Sequence, residues 1–207
     1  MNKISNAASS GVLSNRTRHT RWFVISLIPL VMVIAPSPRP EWVGDLLEAL
    51  GVSCLAVCLA GRAWTSLYVA GRKDRELVVL GPYSVVRNPL YVFSFVGVVG
   101  IGLVSQMISL LAIAVTVFLV YYQVVVRREE SHLARQHGES FTRYAATTPR
   151  WVPNLSRWHD APRLEIEPRR ILSHFVDSGL FFLSFIFFEF LEALRSSGLA
   201  VILLTLP

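Results

Sequence analysis

Two short polar clusters carry the chemistry available to this chain. The first is Gly81-Pro82-Tyr83-Ser84-Val85-Val86-Arg87-Asn88-Pro89-Leu90-Tyr91, and the second, about forty residues on, is Arg127-Arg128-Glu129-Glu130. Each adjoins a long apolar segment. Pro89 pushes Asn88 out of the helical region and is itself well tolerated in a helix's first turn. A helix is therefore expected to start at Pro89, with Arg87 and Asn88 just before its N-terminus. Free backbone N–H groups and the positive end of the helix dipole favour an anion there. Gly81-Pro82 supplies a turn that brings Tyr83 to the same mouth. Glu129 and Glu130 extend a later helix past the membrane surface, back toward Arg87. A ligand with both an anionic and a cationic group suits such a mouth, as does one with a carboxylate, an ammonium and a ribose diol.

The elements that position these clusters are membrane spans. The 207 residues are 53% hydrophobic and 16% charged, where a soluble domain carries about a quarter charged residues. The apolar residues fall in blocks: Trp22–Ala35, Trp42–Tyr68, Pro89–Gln106, Ile108–Val126 and Phe175–Leu191, with a shorter tail, Leu199–Leu206. The expected fold class is all-α, a polytopic bundle of about five transmembrane helices with a cytoplasmic pocket built from helix ends and the segment after span four. Ser105-Gln106-Met107 joins the third and fourth spans as a tight helical hairpin. The expected organisation is a basic segment over 1–21, a membrane core over 22–172, and a C-terminal helix with an interfacial tail over 173–207. A cleaved signal peptide is the competing reading of the first block, and no small-x-small cleavage site follows it.

Basic residues set the orientation. Residues 1–21 hold Lys3, Arg16, Arg18 and Arg21; the segment between spans two and three holds Arg72, Lys73, Arg75 and Arg87; nine arginines lie between Arg127 and Arg170. With five spans these segments share one side, so the N-terminus and both clusters are expected in the cytoplasm, the membrane being a bacterial inner membrane. The net charge of +6 then describes topology and contact with membrane lipids, and nucleic-acid binding is not needed to explain it. Arg62 sits near the inner end of span two. Cys54 and Cys58 share one helix face and imply neither a disulfide nor a metal site. Gly97, Gly100 and Gly102 suit close helix packing rather than dinucleotide binding. Glu189, Glu192 and Arg195 fit an ion-pair row.

The two clusters resemble the bipartite signature of the isoprenylcysteine carboxyl methyltransferase and phospholipid methyltransferase group: arginine-histidine-proline-x-tyrosine, here Arg87-Asn88-Pro89-Leu90-Tyr91, followed by paired glutamates, here Glu129-Glu130. Gly71 and Leu77-Val78 precede Gly81-Pro82-Tyr83, as in many bacterial relatives. Leu133, Gly138, Phe141, Tyr144 and Pro149-Arg150-Trp151-Val152-Pro153 follow in the family's order, so the similarity spans roughly residues 55–155. The resemblance implies an integral membrane methyltransferase that uses S-adenosylmethionine, with a lipophilic acceptor arriving sideways from the bilayer. It implies that Tyr83, Arg87, Asn88, Pro89 and Tyr91 line the cofactor and reaction site. Glu129 and Glu130 would hold the ribose or ammonium end, while Tyr144 and Arg150 would close the pocket. Arg87, Tyr91 and Arg150 are the candidate catalytic residues, Arg150 also orienting an anionic acceptor; no metal is implied. Asn88 replaces the histidine of the best-known members and cannot shuttle a proton near neutral pH. His137 stands for phenylalanine before Gly138.

Three functions follow as expectations. The leading one is methyl transfer to a carboxylate or amine of an isoprenylcysteine-like or phospholipid-like acceptor. The second is an NADPH-dependent enzyme resembling sterol reductases, which share an Arg-x-Pro-x-Tyr stretch. The third is a non-catalytic membrane protein that keeps the pocket. Against the leading reading, an isolated Arg87 would merely anchor a helix end, and an isolated Glu pair would be a solvated helix face. Neither the acceptor nor the oligomeric state is legible.

Overall fold

Proline and glycine set where the helices begin and stop. In a computed structural model of the chain, the backbone is described for residues 34–69, 72, 76–164, 168–199 and 202–206, and the side chains of 168–178 and 180 are outside that description. The basic segment 1–21, nearly all of the first apolar block, and Gly71, Lys73 and Arg75 lie outside the described residues. The chain divides into two compact units, 38–190 and the pairing of 1–37 with 191–207.

In the first unit, helix α1 (Glu41–Val69) opens behind Pro40, whose carbonyl accepts from the Val43 N–H at 3.0 Å. Short helix α2 (Pro82–Val85) follows Gly81, whose φ of +59° is a left-handed value that glycine adopts without strain. Helix α3 (Pro89–Val104) starts at Pro89 as the sequence predicts. The Ser105-Gln106-Met107 hairpin leads into α4 (Ile108–His137). There the Ser105 hydroxyl donates to the Gly102 carbonyl and accepts from the Met107 N–H. Gly138, at φ +53°, ends α4 and precedes α5 (Glu139–Thr147). A single 3-10 turn (Leu155–Arg157) follows, and α6 (Pro168–Ser196) runs on into the second unit.

Helices α1 and α3 pack through glycine. A Cβ placed on Gly51 would lie 2.8 Å from the Val104 backbone nitrogen, and one on Gly100 would lie 2.9 Å from the Gly51 carbonyl oxygen. Cys58 meets Gly97, and Gly61 meets Phe93, one level nearer the polar end. Such close approach favours dispersion and suits a membrane, where apolar burial alone does not drive helices together. Gly102 serves the α3–α4 hairpin, against Leu111. Among the described residues, α1 and α4 are long and apolar enough to cross a membrane, and α3 is a shorter apolar helix.

The second unit departs from an all-helical fold. Strand β1 (Ile34–Pro36) pairs in parallel with β2 (Leu204–Leu206), Ile34 opposite Leu204. The Arg195 side chain donates to the Ile34 carbonyl, and the Ser37 N–H donates to the Leu206 carbonyl at 2.8 Å. Strands of three residues, so distant in sequence, show no alternation to read. Arg195 also feels the charge of Glu192, while burial pushes its guanidinium below the ordinary value.

Candidate active site

Glu130 is the hub of the polar end. Helix α4 has 30 residues, about 45 Å at 1.5 Å each, against a hydrocarbon core of about 30 Å. Its last turns therefore project beyond the apolar layer, and Glu129 and Glu130 are carried on them. Glu130 is 7% exposed, and its carboxylate is met by three side chains from two segments. Arg150 approaches with its Nε 3.1 Å and its terminal nitrogen 2.6 Å from Oε2. The Asn88 amide donates to Oε1 at 3.1 Å, and Arg87 forms an ion pair with Oε2 at 3.5 Å. Hydrogen bonding to Glu130 raises the Arg150 guanidinium above its ordinary value. Charged hydrogen bonds of this kind are about twice as strong as neutral ones.

Asn88 is the residue before α3 and has a side chain favoured for capping, yet it makes no cap hydrogen bond. Its amide is committed to Glu130 and, at 3.3 Å, to the Arg150 carbonyl. Pro89 needs no N–H partner at the first helical position. Position 88 thus works as a fixed donor. The Arg87 backbone N–H is held by the Pro149 carbonyl at 2.8 Å, while its buried Nε has no hydrogen-bond partner among the described residues.

Glu129, beside this hub, accepts from the Tyr91 hydroxyl at 2.6 Å. Tyr144 on α5 donates to the Tyr83 carbonyl at 2.7 Å. Burial raises the Tyr83 phenol above its ordinary value, and the nearby Glu129 charge adds to the effect. Burial raises Tyr144 likewise, with Arg87 pulling the other way. Both are neutral donors at physiological pH. Tyr83, Arg87, Asn88, Pro89, Tyr91, Glu129, Glu130, Tyr144 and Arg150 therefore belong to one region, held by α2, the start of α3, the end of α4, α5 and the segment after it.

That last segment is a strap that composition does not announce. Asn154 N–H donates to the Val85 carbonyl at 2.9 Å, and Gly81 N–H donates to the His159 carbonyl at 2.7 Å. Tyr68 donates to Asp160 at 2.6 Å, and Trp64 stacks on Trp158 with centroids 5.4 Å apart. An open cleft of about 520 Å³ runs between the strap and Arg87, lined also by Thr147, Thr148, Val152, Asn154 and Leu155. The strap residues lack a local period, and only the Pro149-Arg150 motif hints at them.

With the two clusters in contact, kinship can be weighed. Residues 40–140 match the phospholipid methyltransferase family. The chain is 30% identical over 194 residues to the cobalt-zinc-cadmium resistance protein CzcN of Cupriavidus metallidurans, covering 92% of this chain and 89% of that one. It is 39% identical over 154 residues to the nickel-cobalt-cadmium resistance protein NccN of Alcaligenes xylosoxydans xylosoxydans, covering 72% of each. The chain belongs to the phospholipid methyltransferase family. A further member of this kinship, the protein-S-isoprenylcysteine O-methyltransferase of Schizosaccharomyces pombe, is 30% identical over 115 residues, 51% of this chain and 48% of that one. No solved structure gives a significant match. Membership in the phospholipid methyltransferase family, with the two long apolar helices, makes the chain an integral membrane protein.

Proposed function

We propose that this family member is a methyltransferase that takes its methyl group from S-adenosylmethionine and delivers it to a carboxylate or amine of a lipophilic acceptor. The observation that carries the reading is Glu130, which draws Arg87, Asn88 and Arg150 together beside the Tyr91–Glu129 pair. The donor set fits the cofactor's functional groups. The Arg87 Nε–H is a buried donor without a hydrogen-bond partner among the described residues, suited to a carboxylate. Glu129 suits an ammonium or ribose hydroxyls, and the rings of Tyr83, Tyr91 and Tyr144 suit a sulfonium. When bound, S-adenosylmethionine supplies an electrophilic methyl group on sulfur.

Everything else is positioning. Glu130 fixes the Arg87 and Arg150 forks, Asn88 holds its amide in one orientation, and Tyr91 holds Glu129. Methyl displacement gains from alignment and excluded water rather than from an acid or base. An Asn at position 88 fits that demand. The reading includes five spans, the site on the cytoplasmic face, and an acceptor drawn from the bilayer. We extend to this chain a role beside metal resistance, from the names of NccN and CzcN: an esterified carboxylate no longer binds a divalent cation.

Titrating S-adenosylmethionine and S-adenosylhomocysteine into detergent-purified protein tests the proposal. Wild type binds both, and Arg87→Ala and Glu130→Ala lose binding. Folded wild type that binds neither from micromolar to millimolar concentration overturns it, and NADPH binding in their place makes the chain reductase-like.

A further inference from the structure

The strap after α5 has two ends of unequal strength. Its near end is tied by charge, since Arg150 forks onto Glu130. The backbone there is held as well: the Arg150 carbonyl accepts from the Asn88 amide, and the Pro149 carbonyl from the Arg87 N–H. The far end is tied at the surface. Asp160 accepts from the Tyr68 hydroxyl at 2.6 Å, and Trp158 stacks on Trp64. The His159 N–H donates to the Ser84 hydroxyl at 3.1 Å, and its carbonyl accepts from the Gly81 N–H. Trp158, His159 and Asp160 are all exposed, so water competes for each of these ties.

Between the two ends the strap buries little. Val152 and Leu155 are exposed. The turn at Leu155–Arg157 is closed on itself, with the Asn154 side-chain oxygen accepting from the Ser156 N–H and hydroxyl. The Asn154 N–H, bonded to the Val85 carbonyl, fastens this turn to α2. A segment with surface hydrogen bonds and few buried apolar contacts opens locally at less cost than the whole fold.

Arg87 gives that opening a purpose. Its Nε is buried and has no hydrogen-bond partner among the described residues, although the side chain borders the cleft. A ligand reaches a buried atom only when a neighbour moves. Around Arg87, α3 and α4 continue into the apolar layer, whereas the strap lies outside it.

We propose that residues 152–160 form a gate, latched to α1 by the Tyr68–Asp160 bond and the Trp64–Trp158 stack and pivoting on Pro149-Arg150, whose release admits a water-borne anion to Arg87. That this anion is the carboxylate of S-adenosylmethionine rests on the methyltransferase reading; the latch itself does not. The latch is made with the cleft empty or filled, so weakening it speeds entry and exit alike.

Hydrogen–deuterium exchange, resolved by residue on the full chain in maltoside micelles, tests the gate. The reporters are the amides of Gly81, Asn154 and His159, each bonded across the strap. In wild type they exchange together, faster than the amides of α1 and α3. Tyr68→Phe removes one hydrogen bond to a carboxylate and speeds their exchange roughly fivefold, with α1 and α3 unchanged. Trp158→Ala acts in the same direction. S-adenosylhomocysteine slows the same three amides. In both variants it associates and dissociates faster than in wild type, with a dissociation constant within about twofold. Should Trp158→Ala fail to fold, Tyr68→Phe decides alone, since it deletes a single hydroxyl. Reporter amides that exchange only together with α1 and α3, or at the wild-type rate in Tyr68→Phe, overturn the gate and make the strap a static brace. Latch-dependent opening in protein that binds no S-adenosylhomocysteine sinks the methyltransferase reading and leaves the gate standing.

Discussion

Glu129 and Glu130 are neighbours with different work. Glu130 is buried and answers two guanidinium groups and an amide, whereas Glu129 is half-buried and answers one phenol. Removing Glu130 leaves Arg87 near the surface of an apolar layer without its counter-charge. Glu130→Ala is expected to cost roughly 2–3 kcal/mol, below the figure for a fully buried pair because the Arg150 side chain is 37% exposed. Glu129→Gln is expected to change stability by less than about 1 kcal/mol. Thermal unfolding in detergent separates the two, and both variants lose S-adenosylhomocysteine binding. The tyrosines give a prediction in pH. Tyr83 and Tyr144 are raised above their ordinary value of 10.0, so above about pH 10 the unfolded chain releases protons that the folded chain retains. Their contribution to stability is complete below that pH and is lost as pH rises toward the folded values. Melting temperature should fall from pH 9.5 to 11, and Tyr144→Phe should make the fall shallower. An equally steep fall in that variant would exclude Tyr144 as its source.

Helix α3 positions much of the site, because Asn88 immediately precedes it and Tyr91 lies in its first turn. Its placement depends on α1, which it meets backbone to backbone at Gly51 and Gly100. Gly100→Ala puts a methyl 2.9 Å from the Gly51 carbonyl oxygen, an overpacking expected to cost about 1–3 kcal/mol. Gly179→Ala on α6 has nothing within 4 Å of the added carbon and should leave stability unchanged or slightly higher. Equal melting temperatures for the two would show that α1 and α3 do not approach this closely. The same elements show what was legible in the sequence. The Asn88-Pro89 step set the start of α3 to the residue. The blocks Trp42–Tyr68 and Ile108–Val126 appear as α1 and α4, because long apolar runs and proline act locally. Arg87, Asn88, Glu130 and Arg150 could be grouped only through a family resemblance, since nothing local says that residues 62 apart meet. The segment after span four was expected in the pocket through Pro149-Arg150, but its course to Asp160 was not legible, because its contacts with Gly81, Val85, Trp64 and Tyr68 are long-range and leave no local period. Arg62 could be placed only near the inner end of span two, since nothing local says that it meets Ser94 on α3.

Charge sorts along the unit as a whole. Glu41, Asp45 and Glu48 mark the start of α1, where a Cβ on Gly44 would lie 3.1 Å from the Gln106 side chain of the hairpin. Arg62, Arg87 and Arg150 mark the other end, with the Glu129–Glu130 pair among them. One end of the unit is therefore acidic or neutral and the other rich in arginine. A bilayer with an electronegative cytoplasmic side retains the basic end there. The proposed orientation would put Pro38 and the hairpin outside, and the cleft and strap where the proposed cofactor is made. A water-borne, membrane-impermeant maleimide tests it. Val152, 76% exposed in the strap, and Pro38, exposed before α1, are each replaced by cysteine; the native Cys54 and Cys58 lie in the apolar stretch of α1, away from the reagent. Val152→Cys should react only in inside-out vesicles and Pro38→Cys only in intact spheroplasts. The reverse pattern would put the candidate active site on the outer face, away from cytoplasmic S-adenosylmethionine, and would refute the proposed activity along with the orientation. Labelling of both sites from one side would mean that α1 does not cross, and would refute the reading of α1 as a span.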